Sequence, residues 1–187
     1  MSMAGLDEED DLFAPITTSA KRRAVWLGIN LLTAFLASYV IGLFETTVQE
    51  LVALAVLMPV VASMGGIAGS QTLTIVIRGL ALDKLNESNT KSLLMKELGV
   101  GFLNGVLWAI VVGIVAYAWF GNPILGMVIG ASILLNLLVA ALAGMLIPLA
   151  LNTLKLDPAL SGSVVLTTVT DVIGFMSFLG LATLYLV

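Results

Sequence analysis

The chain contains no cysteine and no histidine. Thiolate and imidazole metal ligands, Cys or His nucleophile–base pairs and histidine proton relays are therefore excluded together. Carboxylate, hydroxyl, amide and carbonyl oxygens remain, a donor set that suits magnesium, calcium and manganese better than softer metals. Charge is scarce as well, at 11% of residues against 59% hydrophobic, whereas soluble domains hold about 45–50% apolar residues. With a mean hydropathy of +1.10, the main solvent of this chain is not water. No nucleotide cradle is present, because Gly65-Gly66-x-x-Gly69 lacks a following Lys-Ser/Thr and lies in an apolar run. No enzymatic activity and no nucleic-acid partner are expected.

What the chain does have is apolar runs, over residues 24–44, 51–82, 97–120, 124–151 and 161–187, each long enough for the ~20 residues of helix that cross a hydrocarbon core. The expectation is an all-α integral membrane protein of five transmembrane helices in a lipid bilayer. Residues 21–187 form one membrane domain behind a solvated acidic tail, 1–20, that carries Asp7-Glu8-Glu9-Asp10-Asp11. The first run has no small-residue cleavage site and is too long for a signal-peptide core. The second would be ~48 Å long if straight, against a core of ~30 Å. It must tilt, break or protrude, and Pro59, Gly65, Gly66 and Gly69 mark where a break would fall. A polar connection over 83–96, a turn at Gly121-Asn122-Pro123 and a break over 152–158 separate the later runs.

Five crossings place Lys21, Arg22, Arg23, Arg78, Lys84, Lys91, Lys96 and Lys155 on one side. By the positive-inside rule the N-terminus is cytoplasmic and the C-terminus outside, as expected for a multi-pass plasma-membrane protein. Trp26, Trp119, Phe120 and Tyr185 fall where interfacial aromatic belts belong. The pairs Gly65/Gly69, Gly101/Gly105 and Gly126/Gly130 predict close helix approach.

Asp171 stands about ten residues inside the last run, ~15 Å deep. A charge there costs at least ~2.5–3.5 kcal/mol, and no basic residue shares its depth. A permeating cation is the simplest compensation. Thr167-Thr168-x-Thr170-Asp171 supplies hydroxyls, and Ser163, Thr167 and Asp171 share a helix face. In a homodimer two such stripes would face each other, and their carboxylates would repel unless a cation sat between them. At an effective dielectric of ~20 and ~4 Å, each charge pair is worth ~4 kcal/mol, doubled for a dication. A potential of ~100 mV adds ~4.6 kcal/mol for a dication, enough for roughly thousandfold accumulation by a passive path. Two other readings stand beside this one. In one, Asp171 is neutral or hydrogen-bonded and fixes helix packing in a non-conducting scaffold; in the other, it is half of an aspartyl-protease pair completed across a dimer.

Pro59-Val-Val-Ala-Ser-Met64-Gly65-Gly66-Ile-Ala-Gly69-Ser-Gln71-Thr, running on to Arg78-Gly79-Leu80-Ala81, resembles the second-helix signature of the MgtE family of magnesium channels and transporters. Glu97-Leu-x-x-Gly101-x-x-x-Gly105 is similar to that family's third-helix start. Asp157-Pro158-Ala159-x-Ser161-Gly162, then Thr167-Thr168-x-Thr170-Asp171-x-x-Gly174-Phe175, resembles its fourth-to-fifth connection and ion-binding helix. The resemblance implies a homodimer with a central pore, in which Asp171 holds a largely hydrated Mg2+ as transported ion and Thr167, Ser163 and Thr168 lie beside it. This suits an ion that binds through one or two carboxylates and keeps several waters. Glu97 would stand near the cytoplasmic mouth, or serve only as a helix-start acid favoured by the macrodipole. Ile67 and Ser70 replace the family's usual Asn, and Ser163 its usual proline or amide. Mn2+, Co2+ or Ca2+ are thus alternative ions. The tail before Lys21 does not match the cytosolic regulatory domains of many relatives, which leaves a separate regulatory subunit as one route to gating.

Overall fold

The computed structural model describes residues 15–187. Much of the expected acidic tail therefore lies outside the described residues. Six helices follow: α1 (Ile16–Gly42), α2 (Glu45–Glu50), α3 (Val52–Ala81), α4 (Glu87–Phe120), α5 (Pro123–Thr153) and α6 (Pro158–Tyr185). All but α2 are long and apolar enough to cross a membrane, so the expected five-helix architecture holds and no strand occurs among the described residues.

Three boundaries differ from the sequence reading. The helix expected from residue 24 begins at Ile16, and the break expected over 45–50 is the short helix α2. The helix expected from residue 97 begins at Glu87, because Asn86 and Asn89 form a reciprocal capping box that starts it ten residues earlier. Polarity in 87–96 marks a helix that outruns the hydrocarbon, not a loop. Nor does α3 break. Pro59 withholds one N–H from the Ala55 carbonyl, yet the helix runs on, and at 30 residues or ~45 Å it must tilt or protrude. Gly65 and Gly69 serve close packing instead, whereas a Cβ on Gly66 would meet nothing within 4 Å. A Cβ on Gly65 would strike the Asn136 side chain, and one on Gly69 would lie 2.8 Å from Leu166 Cδ1.

These contacts also give helix directions. Gly101, Gly105, the Ala109 carbonyl and Gly113 meet Ala141, Leu134, Gly130 and Gly126 in descending order, so α4 and α5 are antiparallel. Their sharp hairpin follows from Gly121 at φ +68°, Asn122 accepting the N–H groups of Ile124 and Leu125, and Pro123 in the first turn. Gly65 with Asn136, and Gly144 with Gly69 and Thr72, make α3 and α5 parallel. Gly69 with Leu166 and Gly162 with Leu73 make α3 and α6 antiparallel. Thus α5 occupies the centre, in contact with α3, α4 and α6, while α1 leans mainly on α6 and α3 barely touches α4. The core of Leu54, Val61, Leu125, Ile129, Ile133 and Phe178 joins α3, α5 and α6. At the end of the bundle opposite to the basic residues, the buried Thr47 of α2 shares a 2.9 Å hydrogen bond with Thr183 of α6.

Candidate cation site

Asp171 lies in the middle of α6, thirteen residues after Pro158 and fourteen before Tyr185, hence ~20 Å from either helix end. It is half-buried, and among the described residues it makes no hydrogen bond or ion pair. Ser163 and Thr167 continue its stripe toward the α6 N-terminus, and Thr167 is exposed. The hydroxyls are tied back to their own helix. Thr167 Oγ1 donates to the Ser163 carbonyl at 2.9 Å, and Thr168 Oγ1 to that of Val164 at 2.7 Å. Each hydroxyl oxygen keeps lone pairs for a cation or its water shell. Thr170 is turned inward, fully buried, and bonds the Leu166 and Thr167 carbonyls. One face of α6 therefore presents Ser163, Thr167 and Asp171, while Gly162, Leu166, Thr170 and Gly174 form a buried stripe next to it.

On α3, which packs against α6, Ser63, Ser70 and Thr74 are exposed on one face at helical spacing, with the exposed Ile67 among them. Ser70 and Thr74 also bond carbonyls of their own helix, Ile67 and Ser70, at 2.8 Å. Two adjacent helices of the bundle thus leave polar stripes uncovered within one chain.

Glu97 is not part of this group. It is the eleventh residue of α4, too far from the helix start for the macrodipole reading, which is felt only in the first turn. Only 4% exposed, it is more buried than Asp171 and is a second acid within a candidate span. Thr72 Oγ1 donates to Glu97 Oε2 at 3.0 Å, and the exposed Lys96 places Nζ 3.8 Å from Oε1. Gln71, Thr72, Lys96, Glu97 and Asn104 contribute to a cavity of ≈ 180 Å³ between α3, α4 and α5. Because Leu73 meets Gly162 and Gly69 meets Leu166, Thr72 and Glu97 stand near the level of Ser163, about two turns or ~12 Å below Asp171. Glu97→Ala is expected to leave the buried Thr72 hydroxyl without its acceptor and to be about 1–3 kcal/mol less stable than Glu97→Gln. Denaturant titration of the purified protein in detergent measures the difference.

Among the buried polar groups that sequence reasoning missed are Thr72 and Asn136. Thr72 was hidden behind the supposed connection 83–96, which left Glu97 at a helix end. Asn136, fully buried, donates Nδ2 to the Val61 carbonyl at 2.9 Å. Its signal was available, as a lone amide in the apolar interior of α5.

A profile of the MgtE family, described as divalent cation transporters, matches residues 58–181. Similar proteins include the magnesium transporter MgtE of Bacillus subtilis strain 168, 33% identical over 168 residues, which cover 90% of this chain and 37% of that protein. That of Thermus thermophilus is 35% identical over 164 residues, 88% of this chain and 36% of the relative. That of Enterococcus faecalis is 31% identical over 184 residues, 98% of this chain and 40% of the relative. The chain spans about two fifths of the length of these relatives. The matched residues include α4, α5 and most of α3 and α6, and the chain belongs to the MgtE family of divalent cation transporters.

Proposed function

We propose that this chain forms a passive transmembrane pathway for divalent cations, Mg2+ foremost, along the face of α6 that carries Ser163, Thr167 and Asp171. One observation carries this reading: a carboxylate halfway along a membrane-crossing helix, without a protein partner among the described residues, beside a second helix whose hydroxyls are also uncovered. Facing lipid, that carboxylate would bear the full desolvation penalty. Facing a second copy across a water-filled path, it would meet a cation. The homodimer follows from the same surface, since a two-fold axis beside α3 and α6 brings two identical polar stripes together. Thr168 lies one residue off the stripe and would contact only the ion's water. Glu97, held by Thr72 and Lys96, would act on the ion from a distance near one mouth.

The basic residues support an N-terminus in the cytoplasm, because all eight fall at the end of the bundle that holds the starts of α1, α4 and α6. The opposite end carries Glu45 and Glu50 on the short α2, and an inside-negative potential would draw cations inward from that side. The plasma membrane is the corresponding location. Regulation would come from outside residues 15–187, through a separate subunit or further chain.

Purified chain in proteoliposomes, with an inside-negative potential, is expected to admit Mg2+ at rates at least about tenfold above empty vesicles. Competing Mn2+, Co2+ and Ca2+ rank its preference. A Mg2+ signal no greater than that of empty vesicles would leave the scaffold reading in place.

A further inference from the structure

We propose that Asn136 is a positioning residue for the Asp171 carboxylate: it fixes the rotation and height of α6 against α3 at the level where the ion is held. The inference rests on Asp171 as the cation site. Asn136 sits thirteen residues into α5 from Pro123, ~20 Å from that helix end. Gly65 is equally far into the parallel helix α3 from Val52. On α6, Gly174 and Asp171 lie eleven and fourteen residues before Tyr185, ~17 and ~21 Å from the same end of the bundle. The three helices therefore meet at one depth.

Asn136 is clamped there from both sides. Its Nδ2 donates to the Val61 carbonyl of α3 at 2.9 Å. A Cβ at Gly65 would collide with its amide, and a Cβ at Gly174 would lie 2.7 Å from Nδ2 and 3.1 Å from Val61 Cγ1. Two missing side chains make room for one amide, so its place allows little sliding of α6 along α3. Gly174 is three residues beyond Asp171, less than one turn, and a rotation of α6 at Gly174 is transmitted to the carboxylate by the rigid helix between them.

Asn136 Oδ1 is buried without a hydrogen-bond partner among the described residues. An amide kept only for stability would be expected to satisfy both its ends. Fold stability alone would be served as well by leucine, which fills a similar space and strands no oxygen. What leucine cannot supply is a directional bond to the Val61 backbone. A hydrogen bond fixes orientation, whereas an apolar contact tolerates slip.

The test uses the whole chain in proteoliposomes, reading Mg2+ influx against Mg2+ concentration for Asn136→Leu and Gly174→Ala. The alanine methyl would push the amide away from Val61 and acts as an independent route to the same disturbance. In both variants the half-saturating Mg2+ concentration is expected to rise about tenfold, in line with losses on removing groups that orient a metal ligand. Maximal flux should fall by no more than about twofold, discrimination of Mg2+ against Ca2+ should weaken, and Asn136→Leu should melt at or above the wild-type temperature. If Asn136→Leu does not yield folded protein, Gly174→Ala carries the same comparison. Half-saturation unchanged in whichever variants fold, while Asp171→Asn is silent, would overturn the positioning role and leave the cation site standing. Wild-type flux in Asp171→Asn would remove the cation site itself, and this inference with it.

Discussion

Asp171→Asn is expected to reduce divalent flux at least a hundredfold while the protein still assembles. The substitution keeps shape and one oxygen but removes the charge. With water between ion and carboxylate, at ~6 Å and an effective dielectric of ~20, a carboxylate and a dication attract by about 5–6 kcal/mol. If half of that is lost to incomplete desolvation, the remainder still corresponds to about a hundredfold in occupancy. Assembly should survive because Asp171 gives up no hydrogen bond or ion pair among the described residues. Two measurements decide the matter: Mg2+ influx into proteoliposomes, and size-exclusion elution of the variant in detergent. Substantial Mg2+ influx through a correctly assembled variant would refute the site. Loss of assembly would instead recast Asp171 as a packing residue.

The second large effect is structural. Gly126→Val is expected to yield no folded protein, whereas Gly99→Ala should be neutral or gain up to ~1 kcal/mol from helix propensity. At Gly126 a Cβ would lie 2.6 Å from the carbonyl oxygen of Gly113, and at Gly113 one would lie 2.9 Å from that of Gly126. The opposing atoms are backbone on both sides, so no rotamer change relieves the clash and α4 must move off α5. That exceeds the ~1–3 kcal/mol usual for overpacking a core and is a large fraction of the ~5–15 kcal/mol by which a domain is folded. At Gly99 no atom lies within 4 Å. Folded yield by fluorescence-detected size exclusion should separate the pair, and a Gly126→Val protein with wild-type yield would mean that the α4–α5 seam is looser than its geometry implies.

The fold was legible in the chain because the bilayer imposes a length rule that apolar runs report directly, and the glycine pairs report which faces touch. Gly126 and Gly130 do meet the backbone of α4, as their spacing predicts. Legibility ended where polarity and secondary structure separate. Residues 87–96 are polar and helical, because Asn86 and Asn89 cap a helix that extends beyond the apolar core, and a hydropathy reading places the boundary at the wrong residue. The prolines and glycines of α3 were ambiguous for a different reason. Gly65 relieves crowding against Asn136, a partner seventy-one positions away in the chain, and no local pattern announces it. At the candidate site, Asp171 and the Ser163–Thr167 stripe could be placed by helical periodicity alone. Glu97 could not, since its burial depends on Thr72 of another helix.

The spatial order of the helices differs from their order of synthesis. Helix α3 barely touches α4, which follows it directly, and finds its main partners in α5 and α6. The first hairpin able to close during translation is therefore α4 on α5, along the glycine seam. Until α5 emerges from the ribosome, α3 must wait in the bilayer or the insertion machinery with its packing face unclaimed, and the helix that carries Asp171 is the last one made.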